Sequence, residues 1–224
     1  MLLILDNKKN KNDKLAYIDE LSKALNKLRI PFISVTKIDN NIKLHEINGI
    51  IISGSSIRFN DITENKRNKI YAFNFYYLSR LNVPIYGICF GAQLLSILYN
   101  CTIKDNKKYI CDNIPFYKYD KSNILLKNVD TDKFDYCFSE TIIPNKYNNI
   151  NIFASIKHDN KIVDTGFEFE KNKIFGSLFH PEINDNTIIL YDNFYNLCKK
   201  YKNKRKPISK SNKKNTHNKT RKNK

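Results

Sequence analysis

The chain has 224 residues and a formal net charge of +17, with 41% hydrophobic and 27% charged residues. That is enough apolar content for one domain with a core, and the richness in Lys, Asn and Ile beside 6 Gly, 1 Met and no Trp reads as AT-rich codon bias. The charge is local: residues 199–224 hold 13 Lys and Arg and no acid, leaving 26 basic against 22 acidic residues in the rest, which excludes a generally basic nucleic-acid-binding body.

The N-terminal run MLLIL (1–5) reads as a buried strand. Residues 14–29 place Leu15, Ile18, Leu21, Leu25 and Leu28 at helical spacing, and Pro31 stops that helix. Phe32–Val35 and Gly49–Ile52 are further strand candidates, residues 64–81 read as a helix rich in Tyr and Phe, and Pro84–Ile88 is a fourth strand leading into a helix over Ala92–Tyr99. Short apolar strands alternating with amphipathic helices predict an α/β fold with a doubly wound, mostly parallel sheet flanked by helices. The second half changes character. Ile124–Leu126, Ile152–Ile156, Lys161–Val163 and Ile174–Phe179 look β-like, making a small β-rich insertion, and residues 187–198 form a closing helix. The domain is expected to span 1–198, followed by a basic, disordered tail over 199–224.

The five cysteines are odd in number and contain no Cys-x-x-Cys pair, so they suggest neither zinc nor another metal. No apolar stretch is long enough for a bilayer, and the N-terminus has no cleavage site of the secretory kind. The expectation is a cytoplasmic protein with no membrane contact.

Gly87-Ile88-Cys89-Phe90-Gly91 falls where a predicted strand meets a predicted helix. That is the setting of a nucleophile elbow, with Cys89 projected above the sheet edge, near a helix N-terminus that favours thiolate. The Phe90 N–H can point at a developing oxyanion, and Gly54, in the small-residue loop after Ile50-Ile51-Ile52, can supply a second. Ligands in such sheets sit outside the carboxyl ends of the strands, where both features lie. Of the four histidines, His45, His158 and His217 sit in polar surroundings. His180 follows the apolar run IFGSLF and precedes Pro181 and Glu182, a carboxylate able to orient the imidazole.

Together, GICFGAQ and FHPE resemble the class I glutamine amidotransferases, the type with a Cys-His-Glu triad, over nearly all of residues 1–198. The loop IISGSS is similar to the oxyanion loop of the GMP-synthase-like branch. The resemblance implies a flavodoxin-like fold, no cofactor, and a glutamine side-chain amide cleaved to glutamate and ammonia through a Cys89 thioester. His180 would be the general base and acid, Glu182 its orienting partner, Gly54 and Phe90 the oxyanion donors, and Gln93 and Ser139 substrate-binding residues. The sequence departs from the family pattern at Glu140, which stands where a histidine is usual, and at Ser55, which replaces a second glycine. Backbone contacts of that stretch to the substrate could survive the change, since they do not depend on the side chain, or a carboxylate near the substrate could instead change selectivity or weaken glutamine binding. A free-standing glutaminase-type domain is implied, with ammonia passed to a separate synthase. The alternatives are a γ-glutamyl hydrolase and a catalytically silent regulatory or binding paralogue. The 199–224 tail could make weak nucleic-acid contacts through phosphates.

Overall fold

The structure is a computed structural model that describes residues 1–8, 12, 14–38, 42–62, 82–171 and 173–204. The helix expected over 64–81 and the tail beyond Lys204 lie outside the described residues. The strands are β1 (Leu2–Leu5), β2 (Phe32–Val35), β3 (Gly49–Ile52), β4 (Ile85–Ile88), β5 (Thr102–Tyr119), β6 (Lys133–Ile143), β7 (Asn151–His158), β8 (Lys161–Glu170) and β9 (Ile174–Ser177). Among the described residues the α-helices are α1 (Ile18–Lys27), α2 (Phe90–Leu98) and α3 (Ile189–Lys204). Among the described residues no helix is long and apolar enough to cross a membrane.

The nine strands run in the order β2-β1-β3-β4-β9-β8-β7-β5-β6. From β2 to β9 every pairing is parallel, and from β9 to β6 every pairing is antiparallel. The α/β expectation holds, but the sheet is mixed rather than mostly parallel. The β-rich part is not a small insertion: it continues the sheet. Burial explains the parallel half. β1, β3 and β4 are buried at every position, as strands covered on both faces must be. Each fully buried Leu or Ile there contributes roughly 1.5–3 kcal/mol.

The closing helix begins later and ends later than its apolar periodicity predicts, continuing past Cys198 to Lys204. It buries Leu190, Tyr191, Phe194, Leu197 and Cys198. Tyr191 and Phe194 pack on Tyr86 of β4 at ring-centroid distances of 6.2 and 5.8 Å. The apolar triplet Ile124–Leu126 is a 3-10 turn, not a strand. The Asn123 side chain accepts the Leu125 N–H and so starts a turn instead.

Registers fix where the chemistry can sit. Leu5 pairs with Ile52, Ile52 with Gly87, and Ile88 with Ser177. The carboxyl ends of β1, β3, β4 and β9 are therefore level, and the segments leaving β3, β4 and β9 emerge side by side. An aromatic cluster joins the two halves below them. Phe179 lies 4.6 Å from Phe134, and Phe134 lies 4.7 Å from Phe116.

Candidate active site

Cys89 is the residue between β4 and α2. Its backbone has φ 49° and ψ −106°, on the positive-φ side that L side chains rarely adopt. The Cys89 N–H donates to the Ser177 carbonyl at 2.6 Å, and its own carbonyl accepts the Gln93 N–H at 3.1 Å. The turn is therefore pinned on both sides. Two glycines make room for it. A Cβ at Gly87 would lie 2.6 Å from the Gly91 carbonyl carbon, and one at Gly91 would lie 2.2 Å from the Ile52 carbonyl oxygen. Only bare backbone lets the first turn of α2 sit on the ends of β3 and β4. The Cys89 thiol is buried and donates to the Cys137 carbonyl at 3.6 Å.

His180 arrives from the other side, after β9. The Phe179 ring is seated in the aromatic cluster, and the Phe179 carbonyl accepts the Ser177 hydroxyl at 2.9 Å. The His180 N–H donates to the Asp135 carbonyl at 2.8 Å. These contacts leave the imidazole wholly buried. Its Nδ1 lies 2.7 Å from Glu182 Oε1, and Glu182 Oε2 accepts the Tyr191 hydroxyl at 2.6 Å. With Nδ1–H committed to the carboxylate, Nε2 is the nitrogen left for the neighbouring Cys89, and no other partner reaches it among the described residues. Burial pulls the imidazole toward the neutral form. The Glu182 charge and hydrogen bond, together with the neighbouring Cys89 thiol, outweigh it and push the pKa up to about 10. The imidazolium is thus the form favoured at neutral pH. The Tyr17 ring meets the imidazole edge-on, with centroids 4.6 Å apart.

The loop after β3 is tied to the end of β1. The Asn7 N–H donates to Ser53 Oγ at 2.9 Å, its side-chain amide donates to the Ser53 carbonyl at 3.0 Å, and the Ser53 hydroxyl donates to the Gly54 carbonyl at 3.0 Å. Gly54 is buried in this loop. Phe90 opens α2, where a first-turn N–H has no helical acceptor. Gln93 is buried, and its side-chain amide donates to the Glu140 carbonyl at 3.0 Å, so it braces β6 against α2. Cys89, Gln93, Ser139, Ser55, Arg58 and Tyr109 line one narrow cavity of ≈ 20 Å³. That volume suits about one water molecule, so a larger ligand enters only as the lining side chains give way.

Glu140 also lines this cavity, but its carboxylate is committed elsewhere. Oε2 accepts the Phe59 N–H at 2.6 Å, and Oε1 accepts the Asn60 N–H at 2.8 Å. Both oxygens hold the 3-10 turn Phe59–Asp61 that follows the β3 loop. The carboxylate at 140 is thus engaged by backbone N–H groups at the edge of the cavity. Two of the five cysteines, Cys111 of β5 and Cys137 of β6, form a disulfide across directly paired positions. His45 and His158 stand apart from the site, each near a carboxylate at 3.7 Å. Tyr17, Tyr191 and Arg58 reach the site without any local sequence signal, because each arrives through tertiary packing.

The sequence matches a known family. The sequence profile of "Glutamine amidotransferase class-I" covers residues 4–196, and the chain belongs to that family. Among curated relatives, it is 29% identical over 149 residues to the glutamine-hydrolyzing GMP synthase of Campylobacter jejuni (strain RM1221), covering 64% of this chain and 26% of that protein. The chain thus spans about a quarter of the length of that relative. It is 24% identical over 211 residues to a single subunit of the glutamine-hydrolyzing GMP synthase of Methanobrevibacter smithii, covering 84% of this chain and 94% of that one. Among solved structures, a protein described as a GMP synthase subunit, from Thermoplasma acidophilum, superposes with a TM-score of 0.71 at 19% identity. The match covers 90% of this chain and 95% of that one, a likeness of fold.

Proposed function

We propose that this chain hydrolyses the side-chain amide of glutamine, with Cys89 as nucleophile, His180 as proton carrier and Glu182 as the group that orients it. The observation that carries this reading is the pairing of a strained elbow cysteine with a buried neighbouring imidazole whose Nδ1 is held by Glu182 at 2.7 Å. The Cys89 thiolate attacks the amide carbon, and the C–N bond breaks as His180 Nε2 gives its proton to the departing nitrogen. Ammonia leaves, and a γ-glutamyl thioester remains on Cys89. Water then attacks that thioester, giving up a proton to Nε2, and glutamate departs. The N–H groups of Gly54 and Phe90 face the oxyanion in both steps. Gln93 and Ser139 belong to the substrate wall.

The named relatives support an amide of glutamine as substrate and a synthase as recipient of the ammonia, since both are described as glutamine-hydrolyzing GMP synthases and one of them as a subunit of such a synthase. The test is ammonia and glutamate release from glutamine by the native chain against Cys89→Ala. Equal release by both would end the proposal. Pull-down with the native chain should recover a synthase subunit.

A further inference from the structure

Arg58 has no part in the chemistry above, yet it lines the same cavity as Cys89, Gln93 and Ser139, with its side chain 32% exposed. Its backbone is fixed. The Asp61 N–H donates to the Arg58 carbonyl at 3.1 Å, and the next two N–H groups, of Phe59 and Asn60, are held by the Glu140 carboxylate. The side chain is aimed by Asp105 of β5, whose Oδ2 lies 2.6 Å from Nη2. Asp105 is itself shared, because its Oδ1 accepts the Lys107 N–H at 2.7 Å. Among the described residues, Arg58 Nε is buried and has no hydrogen-bond partner.

A guanidinium carries five N–H donors in a planar fork, and it matches a carboxylate better than any other side chain. Asp105 occupies one edge of that fork. The buried Nε–H is a donor removed from water with nothing to accept it, an arrangement that a bound acceptor would complete. The Glu140 carboxylate does not fill the role, because both its oxygens are occupied by backbone N–H groups.

We propose that Arg58 is a specificity-determining residue whose guanidinium binds the α-carboxylate of the substrate, so that the site selects γ-amides bearing an α-carboxylate over simple carboxamides. The inference rests on the glutaminase reading of the same site. Glu140 then acts as a positioning residue, holding the turn that presents Arg58.

The experiment compares the full-length chain with Arg58→Met and Arg58→Lys, on L-glutamine and on 4-aminobutanamide, which is glutamine without its α-carboxylate. For Arg58→Met, KM for glutamine should rise about 10- to 100-fold, the loss expected for a charged hydrogen bond, with kcat little changed. Activity on 4-aminobutanamide should be unchanged, and Arg58→Lys should fall between. A second readout needs no turnover: Cys89 adducts are measured by mass spectrometry after 6-diazo-5-oxo-L-norleucine or iodoacetamide. Arg58→Met should slow the first reagent and leave the second alone. If both reagents slow together in Arg58→Met, the elbow itself is disturbed and Arg58→Lys decides the matter by the same ratio. An unchanged preference for glutamine over 4-aminobutanamide in both variants overturns the role of Arg58 and leaves the glutaminase reading standing. Absence of any adduct from the amino-acid reagent on the native Cys89, with iodoacetamide still reacting, overturns both.

Discussion

The Glu140 carboxylate accepts the Phe59 N–H at 2.6 Å, linking β6 to the turn that follows the β3 loop across 81 positions of sequence. The same side chain takes the Asn60 N–H at 2.8 Å, while its own carbonyl accepts Gln93. One residue thereby connects three walls of the cavity: the β3 loop, β6 and the first turns of α2. Its side chain lines the cavity and at the same time organises it, because both carboxylate oxygens are taken up by the turn.

Glu140→Ala should therefore behave as a loss of architecture. It strands the buried Phe59 N–H, which costs roughly 1–3 kcal/mol. Urea denaturation should show that loss, and KM for glutamine should rise more than kcat falls. Glu140→Gln retains one acceptor and should give an intermediate result by both measures. A variant with native stability and native KM would show that the turn stands without Glu140.

Cys89 is held at positive φ, where glycine is at ease and a Cβ is strained. Cys89→Ala and Cys89→Gly both remove the thiol and should both be inactive. Their stabilities should invert the ordinary order. Glycine relieves backbone strain of about 1–3 kcal/mol, against about 0.8 kcal/mol for the smaller buried surface. Cys89→Gly should thus melt above Cys89→Ala in calorimetry. The reverse order would mean that the elbow is not strained.

How much of this was legible before folding depended on burial. β1, β3 and β4 announce themselves because both faces are covered and every residue is apolar or glycine. β5 does not: most of its positions are exposed, and KDNKK breaks any alternation that would betray a strand. β6 contains the Ser139-Glu140-Thr141 stretch, whose polar residues give no strand signal, and its pairing with β5 is set by the fold. Cys89 and His180 were readable because elbow glycines and strand-end position are local properties. The Tyr191 hydroxyl on Glu182, the Tyr17 ring against His180 and the Arg58 guanidinium come from elements distant in sequence, and no short spacing encodes them.

The His180–Glu182 pair predicts a pH dependence with a definite sign. The imidazole pKa rises from 6.5 to about 10 on folding. The folded protein therefore binds more protons than the unfolded chain between those values. The stabilisation is fully present below pH 6.5, declines as pH rises, and is gone above about 10. Denaturation midpoints measured at about pH 6, 8 and 10 should fall in that order. Glu182→Gln removes the charge that lifts the imidazole, so it should flatten this slope and depress ammonia release together. A steep slope surviving in Glu182→Gln would assign the pH dependence to another group.

Gly91 tests whether the closeness of α2 to β3 is a requirement of the site or only of the fold. In Gly91→Ala the new methyl would sit 2.2 Å from the Ile52 carbonyl oxygen, and backbone cannot swing aside as a long side chain can. The helix must retreat from β3, at a cost of about 1–3 kcal/mol or more. Retreat carries the Phe90 N–H away from the Gly54 loop while leaving the His180–Glu182 pair, which hangs from β9 and α3, in place. Two consequences should separate. Turnover of glutamine should fall by about 100-fold or more, the loss seen when an oxyanion donor is displaced. The pH slope of stability should remain, because His180 keeps its carboxylate. If instead stability falls and turnover per folded molecule does not, the spacing of the two loops is a matter of packing, and Gly54 and Phe90 do not share an oxyanion.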